Sequence, residues 1–138
     1  MKPQRTQRKT LCTKYEYPHK DITSNILASA IEVHSNLGPG LLESVYEEAL
    51  VIEFELKGIY FERQKEIDLK YKNRPIGKHR LDFLIENEVI VELKTVESIH
   101  NIHIAQVLTY LKATGKRIGL IINFNAELLK KGIKRLVI

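Results

Sequence analysis

Residues 80–94 read RLDFLIENEVIVELK, in which two apolar, β-branched runs flank a short polar break near Asn87. This pattern predicts a β-hairpin. Asp82 and Glu92 lie five residues before and after Asn87, so a loop with an odd number of residues makes them direct cross-strand partners. Their Cβ atoms are then expected about 5 Å apart. Lys94 follows Glu92 by two and points to the same face of its strand.

Two carboxylates and an amine among apolar strand residues are costly to bury without a role. Asp82 and Glu92 offer the hard oxygen ligands that Mg²⁺ prefers, with Mn²⁺ as a substitute, and the backbone carbonyl of Leu93 is a third candidate ligand. Lys94 can hold an attacking water or stabilise charge at phosphorus. The pattern therefore predicts metal-assisted phosphodiester hydrolysis. A solvated surface ion pair is the alternative, and the apolar neighbours Val89–Val91 count against it.

The composition, net charge and cysteine content narrow the class of protein to which the chain can belong. The 138 residues are 43% hydrophobic and 28% charged, which fits one globular domain. A net charge of +5 weakly favours a polyanionic partner. The single cysteine, Cys12, excludes a disulfide within one chain. Without a signal peptide or an apolar run of about 18 residues, we expect a cytoplasmic protein with no membrane partner.

We expect the chain to divide into a mobile basic tail, residues 1–20, for which a DNA-contacting arm is the alternative, and a single domain, residues 21–138. Helical periodicity starts at Asp21, with Asp21 or Thr23 as the cap. Further helices are predicted over about 41–57, 99–114 and 126–131. Strands are predicted over 66–71, the hairpin, 117–124 and 134–138, a short strand over 59–64 is compatible with the pattern, and residues 73–77 form a turn. The predicted class is α/β (α+β), in the order ααβββαβαβ.

The second helix carries a predicted apolar stripe and two candidate site residues. The stripe consists of Leu42, Val45, Ala49, Ile52 and Leu56. Glu43 and Tyr46 share one face of this helix. A carboxylate in the first turn also suits the helix dipole, and Tyr46 is equally compatible with a core aromatic whose hydroxyl finds a partner.

The third helix places Gln106 and Tyr110 four residues apart, one turn after His103. Polar groups on one face, interleaved with apolar residues, favour a surface that lines a site, although each also fits a structural role. His34, His100 and His103 fit ordinary hydrogen-bonded histidines better than metal ligands.

Residues 33–50, VHSNLGPGLLESVYEEAL, resemble the signature of the GxxExxY proteins, which are grouped with the PD-(D/E)XK nuclease superfamily. The resemblance covers about residues 22–138. It continues through residues 61–64 (FERQ), 80–82 (RLD), 90–94 (IVELK), 103–106 (HIAQ) with Tyr110, and 119–124.

The resemblance implies a restriction-endonuclease-like fold, a mixed central β-sheet flanked by helices. It implies that Asp82 and Glu92 are metal ligands, that Lys94 is the catalytic lysine, and that Glu43 is an additional acidic ligand. Leu81 stands where the superfamily name has proline, a position that supplies no ligand.

The resemblance also bears on substrate positioning. Gln106 and Tyr110 resemble the Gln-xxx-Tyr element of RecB-type nucleases, and we expect both, together with Tyr46, to position the substrate strand.

Three functions are open. The first is a Mg²⁺-dependent nuclease that acts on nucleic acid, with DNA as the expected substrate. The second is a nucleic-acid-binding module that does not cut, or a subunit of a larger DNA-processing assembly. The third is a regulatory protein with a vestigial site. A homodimer would suit the cutting of two strands, but nothing in the sequence specifies one.

Overall fold

The structure, a computed structural model, describes residues 18–138. Its elements are α1 (Lys20–Leu37), α2 (Glu43–Lys57), β1 (Phe61–Tyr71), β2 (Arg74–Ile85), β3 (Val89–Lys94), α3 (Asn101–Thr114), β4 (Ile118–Asn123), a 3₁₀ helix (Leu129–Gly132) and β5 (Ile133–Val137). The predicted tail lies outside the described residues up to residue 17, and Lys20 already belongs to α1. No helix within residues 18–138 is both long and apolar enough to cross a membrane.

The five strands form one sheet in the order β1-β2-β3-β4-β5. β3 and β4 are parallel, and the other neighbours are antiparallel. The parallel pair needs a crossover connection, which α3 provides. This mixed sheet with flanking helices confirms the predicted α+β class and the restriction-endonuclease-like architecture.

The hairpin of β2 and β3 has the predicted register. Its ladder runs from Phe83 opposite Val91 to Ile85 opposite Val89. The connecting loop therefore consists of residues 86–88, an odd number, as the predicted pairing of the carboxylates requires. β3 is buried along its length except at Lys94, as its apolar neighbours led us to expect when they counted against a solvated surface ion pair.

Helices α1 and α2 cover one face of the sheet and α3 covers the other. On β3, Val89, Val91 and Leu93 pack in the cluster beneath α1 and α2. Ile90 packs in the cluster beneath α3. Burial of each such side chain contributes about 1.5–3 kcal/mol to stability, so the sheet is held from both sides.

The alternation of side chains is interrupted once in β1 and once in β2, at positions next to each other in the sheet. Beyond the interruption, side chains that pointed to one face of the sheet point to the other. Leu81 packs beneath α3 and Phe83 beneath α1 and α2, although residues two apart in a regular strand share a face. Asp82 lies between them. In β1, Phe61 packs beneath α1 and α2 and Ile67 packs beneath α3, although they are an even number of residues apart. Gln64 lies between them and has a φ of 53°. The segments predicted separately over 59–64 and 66–71 are thus one strand, interrupted in conformation at Gln64.

The predicted apolar stripe of α2 is wrong, because most of it faces outward: Leu42 is 73%, Val45 41%, Ile52 56% and Leu56 76% exposed. The helix instead buries Tyr46, Leu50 and Phe54. The ring of Phe54 packs edge-on against Phe83 at 5.2 Å. The aromatic side chains bury more surface than the aliphatic stripe, which decides the orientation of the helix.

Three local predictions also need correction. α1 begins after His19, and neither Asp21 nor Thr23 is its N-cap residue. The turn between β1 and β2 lies at Lys72 and Asn73, whose positive φ values of 50° and 65° suit a two-residue hairpin, and residues 74–77 belong to β2. The helix predicted over 126–131 is a single 3₁₀ turn.

Candidate active site

The loop before α2 is anchored by Tyr46. Its hydroxyl donates a hydrogen bond to the Gly38 carbonyl (2.6 Å) and accepts one from the Leu41 N–H (3.1 Å). Its ring stacks on Phe124 at 4.5 Å. Tyr46 is fully buried, so the structure favours the core-aromatic alternative over direct contact with a substrate. Its effect on the site is to fix the loop that leads into Glu43, the first residue of α2.

The carboxylates of Asp82 and Glu92 each accept a hydrogen bond from a backbone N–H of the opposite strand. Regular pairing of β2 with β3 ends at Phe83 and Val91. Beyond it, the Leu93 N–H donates to Asp82 Oδ2 at 2.7 Å, and the Asp82 N–H donates to Glu92 Oε2 at 3.0 Å. The N–H and C=O of a strand residue point to the same side, so the Leu93 carbonyl is also directed towards β2.

The acidic residues of the site influence one another's ionisation. Desolvation and then the charge of Asp82 raise the pKa of Glu43. Burial raises the pKa of Asp82, with the hydrogen bond from Leu93 acting in the opposite direction. Burial, and then Asp82, raise the pKa of Glu92 to about 8. Lys94 lowers the pKa of all three carboxyls. These four side chains therefore share one electrostatic environment.

The donor set suits a hard divalent cation without forming a closed cage. Within residues 18–138, no three His, Cys, Asp or Glu side chains converge into a ready-made metal-binding group. Mg²⁺ is commonly held by one or two carboxylates together with water and substrate oxygens. Asp82 and Glu92 each use one carboxylate oxygen to accept a hydrogen bond from a backbone N–H. The other oxygen of each can coordinate a metal ion. Buried carboxylates with raised pKa values gain compensation from a nearby cation.

Glu47 and Gln64 were not among the residues predicted for the site. The Gln64 amide donates to Glu47 Oε1 at 3.0 Å and makes a long contact of 3.5 Å with Asp82 Oδ1. Arg63 holds the other oxygen of Glu47 at 2.9 Å. Glu47 could have been found, because it follows Glu43 by four on the same helix face. Gln64 is opposite Asp82 only through the register of β1 and β2, which spacing along the sequence does not provide.

Tyr110 and His79 form the side of the site that α3 covers. Their rings stack at 3.9 Å, and His79 Nε2 lies 3.6 Å from Glu92 Oε1. This nitrogen is buried and has no hydrogen-bond partner among residues 18–138. Burial and, next, Glu92 raise the pKa of Tyr110, whereas burial and Lys94 lower that of His79. Gln106 is exposed one turn earlier on α3. No motif or spacing along the chain pointed to His79.

A family model described as the PD-(D/E)XK nuclease superfamily matches residues 20–136. The chain belongs to this superfamily. Members of the PD-(D/E)XK superfamily are usually nucleases and typically use divalent metal ions, although some are inactive. No curated protein matches the chain. The match is to the superfamily as a whole, and the GxxExxY grouping stays a prediction.

The letters of the PD-(D/E)XK name map onto the hairpin as Leu81-Asp82 in β2 and Glu92-Leu93-Lys94 in β3. Leu81 replaces the proline and is fully buried in the cluster beneath α3. An apolar residue at this position therefore serves packing, which agrees with a position that supplies no ligand.

The PD-(D/E)XK lysine position, Lys94, is fixed by the end of β4. Its carbonyl accepts a hydrogen bond from the Phe124 N–H at 2.9 Å. Asn123, which is opposite Lys94 in the parallel ladder, donates to the Val96 carbonyl at 2.8 Å and accepts from the Val96 N–H at 3.1 Å. Lys94 itself forms no contact ion pair within residues 18–138, so the surface ion pair considered as an alternative is not formed there.

Proposed function

We propose that the protein is a Mg²⁺-dependent nuclease that hydrolyses phosphodiester bonds in nucleic acid, with DNA as its substrate. The observation that carries the proposal is that Asp82 and Glu92 each accept a backbone hydrogen bond from the opposite strand, which holds the two carboxylates side by side. Lys94 follows Glu92 by two residues on β3. Membership of the PD-(D/E)XK superfamily supports it.

In this proposal Asp82, Glu92, Glu43 and the Leu93 carbonyl hold Mg²⁺, and Mn²⁺ can replace it. The bound metal supplies Lewis-acid stabilisation of charge at phosphorus and lowers the pKa of bound water. The backbone hydrogen bonds to Asp82 and Glu92 fix both carboxylates before any cation arrives. This preorganisation is what a rate-enhancing site requires.

The remaining residues act on the substrate and on the water. Lys94 holds the attacking water and offsets negative charge that develops in the transition state. Tyr110 and Gln106 position the substrate strand from α3. The stacking of His79 on Tyr110 fixes the orientation of that ring, so His79 is a positioning residue.

The test is cleavage of end-labelled single-stranded, duplex and branched DNA in the presence of Mg²⁺ or Mn²⁺. We expect metal-dependent products from the native chain and none from Asp82→Ala or Lys94→Ala. Lys134→Ala, an exposed lysine on β5, is the matched control and retains cleavage. Thermal melts of each variant exclude unfolding as the cause. Cleavage that survives in both site variants contradicts the proposal.

A nucleic-acid-binding module that does not cut is the second candidate, favoured by the net charge of +5. It predicts that affinity for DNA falls steeply as salt rises, because counterions are released on binding. It also predicts no product with any divalent metal, so the same cleavage assay separates the two functions.

A further inference from the structure

A groove of about 740 Å³ lies between the β1–β2 hairpin and the C-terminal half of α3. Aliphatic side chains of the two strands line its floor, among them Ile67, Leu69 and Leu81. Its rim carries four lysines: Lys65 and Lys70 from β1, and Lys112 and Lys116 from α3 and the residues after it. The groove thus combines an apolar floor with a cationic rim.

The positive charge of this groove is largely uncompensated. Asp68 is the acidic residue among its lining, and it is bound to Lys78 at 2.9 Å. Lys65 is paired with Glu62 at 3.1 Å. Lys70, Lys112 and Lys116 form no salt bridge within residues 18–138. Three free ammonium groups around one groove favour an anionic ligand with several charges.

Three residues that line the groove are chain neighbours of residues at the candidate active site. Lys65 follows Gln64 in β1, Leu81 precedes Asp82 in β2, and Thr109 of the groove precedes Tyr110 in α3. The groove therefore comes within one residue of the candidate site on β1, β2 and α3. This continuity with the candidate site favours a nucleic acid over an acidic peptide.

We propose that the groove binds single-stranded nucleic acid as it enters or leaves the candidate site, with the lysines on phosphates and the bases on the aliphatic floor. This inference rests on the proposed nuclease function and specifies the form of its substrate. The volume falls within the roughly 300–1,000 Å³ of sites that enclose a small ligand, so it suits a short run of nucleotides. A duplex keeps its base faces stacked inside the helix and cannot lay them on this floor, whereas a single strand can.

The test is binding of fluorescein-labelled oligo(dT), oligo(U) and a duplex, measured by anisotropy in EDTA over a range of KCl concentrations. The groove variant is Lys70→Gln with Lys112→Gln and Lys116→Gln. Each lysine–phosphate contact contributes about 0.7 to the slope of log K against log salt for a single strand. We therefore expect the slope to fall by about 2 in this variant.

The matched control removes the same charge elsewhere, through Lys130→Gln, Lys131→Gln and Lys134→Gln, which are exposed and outside the groove. It is expected to keep the native slope to within the loss of one contact. Equal weakening in both triple variants would mean that only general surface charge attracts the strand, and it overturns the inference. Tighter binding of the duplex than of both single strands overturns it as well.

Failure of this inference can be separated from failure of the proposed function. Cleavage by the native chain with Mn²⁺ tests the function alone. If cleavage is observed but the groove variant keeps the native affinity and salt slope, the groove inference is wrong and the nuclease function stands. If the groove variant loses affinity but no metal supports cleavage, the strand-binding groove stands and the nuclease function is wrong.

Discussion

The carboxylate of Glu92 accepts a hydrogen bond from the backbone N–H of Asp82, at 3.0 Å. Asp82 in turn accepts one from the residue that follows Glu92, Leu93, at 2.7 Å. Two carboxylates thus take the place of backbone carbonyls where the pairing of β2 and β3 ends. Burial of two neighbouring acidic groups costs stability, so this arrangement is expected at a functional position, where stability is commonly lost in exchange for activity.

The stability of the metal-free protein should fall as pH rises from about 5 to 8. The pKa of Glu92 is raised from 4.5 in the unfolded chain to about 8 in the fold. Between these values the folded protein holds a proton that the unfolded chain has lost. Each pH unit then lowers the free energy of unfolding by up to roughly 1.4 kcal/mol. Urea denaturation in EDTA across this pH range measures the effect.

Glu92→Gln is the control for this pH dependence. Glutamine keeps an acceptor for the Asp82 N–H but cannot ionise. We expect its stability to change less between pH 5 and 8 than that of the native chain, and to exceed the native value at pH 8. Parallel pH profiles for the two proteins would contradict the assignment of the effect to Glu92.

A divalent cation should stabilise the fold at pH 8. A ligand at one hundred times its Kd adds about 2.7 kcal/mol to the free energy of unfolding, and Mn²⁺ is the probe in a thermal melt. Asp82→Asn should lose most of this gain, whereas Lys94→Ala should keep it, because Lys94 is a cation and not a ligand. Glu127→Gln, at an exposed acidic residue in the loop between β4 and the 3₁₀ helix, is the control that should respond as the native chain does. An equal Mn²⁺ response in Asp82→Asn would show that the metal binds elsewhere.

Gln64 should orient Asp82 without being required for the fold. Glycine adopts its φ of 53° without strain, so Gln64→Gly is expected to stay folded while it loses the amide between Glu47 and Asp82. Loss of a group that orients a metal ligand typically costs about 10- to 100-fold in activity or metal affinity. The measurements are kcat, KM and Mn²⁺ affinity, and we expect kcat and metal affinity to fall.

Gln64→Val separates backbone strain from loss of the amide. A β-branched residue at this positive φ costs of order 1–3 kcal/mol, so this variant should be less stable than Gln64→Gly. If Gln64→Gly keeps native kcat and Mn²⁺ affinity, the amide has no positioning role and the residue serves only the change of face in β1.

The features that could be predicted from the sequence are those set by local spacing. The hairpin, its odd loop of residues 86–88 and the burial of β3 follow from alternation and turn residues close together in the chain. The position of Glu43 at the start of α2 follows from the glycines that precede it, whereas the periodicity after it indicated a helix but the wrong buried face. The element order follows from the same signals.

The features that could not be predicted depend on pairing between distant segments. Gln64 meets Asp82 through the register of two strands and a left-handed residue. His79 reaches Glu92 because the side-chain alternation of β2 is interrupted between His79 and the hairpin loop. Alternation along a strand cannot reveal either contact, since both arise where the alternation is interrupted.

The orientation of α2 can be tested by a pair of leucines on different faces of the helix. Leu50 is fully buried and Leu56, on the stripe that the sequence favoured, is 76% exposed. Leu50→Ala should lower the free energy of unfolding by about 2–5 kcal/mol. Leu56→Gln should change it by no more than about 0.5 kcal/mol, because glutamine and leucine have similar helix propensities and the site is open to solvent. Chemical denaturation gives both values. A large loss for Leu56→Gln would mean that this stripe is covered in solution, either by residues 1–17 or by another molecule, and gel filtration of the native chain would separate those two cases.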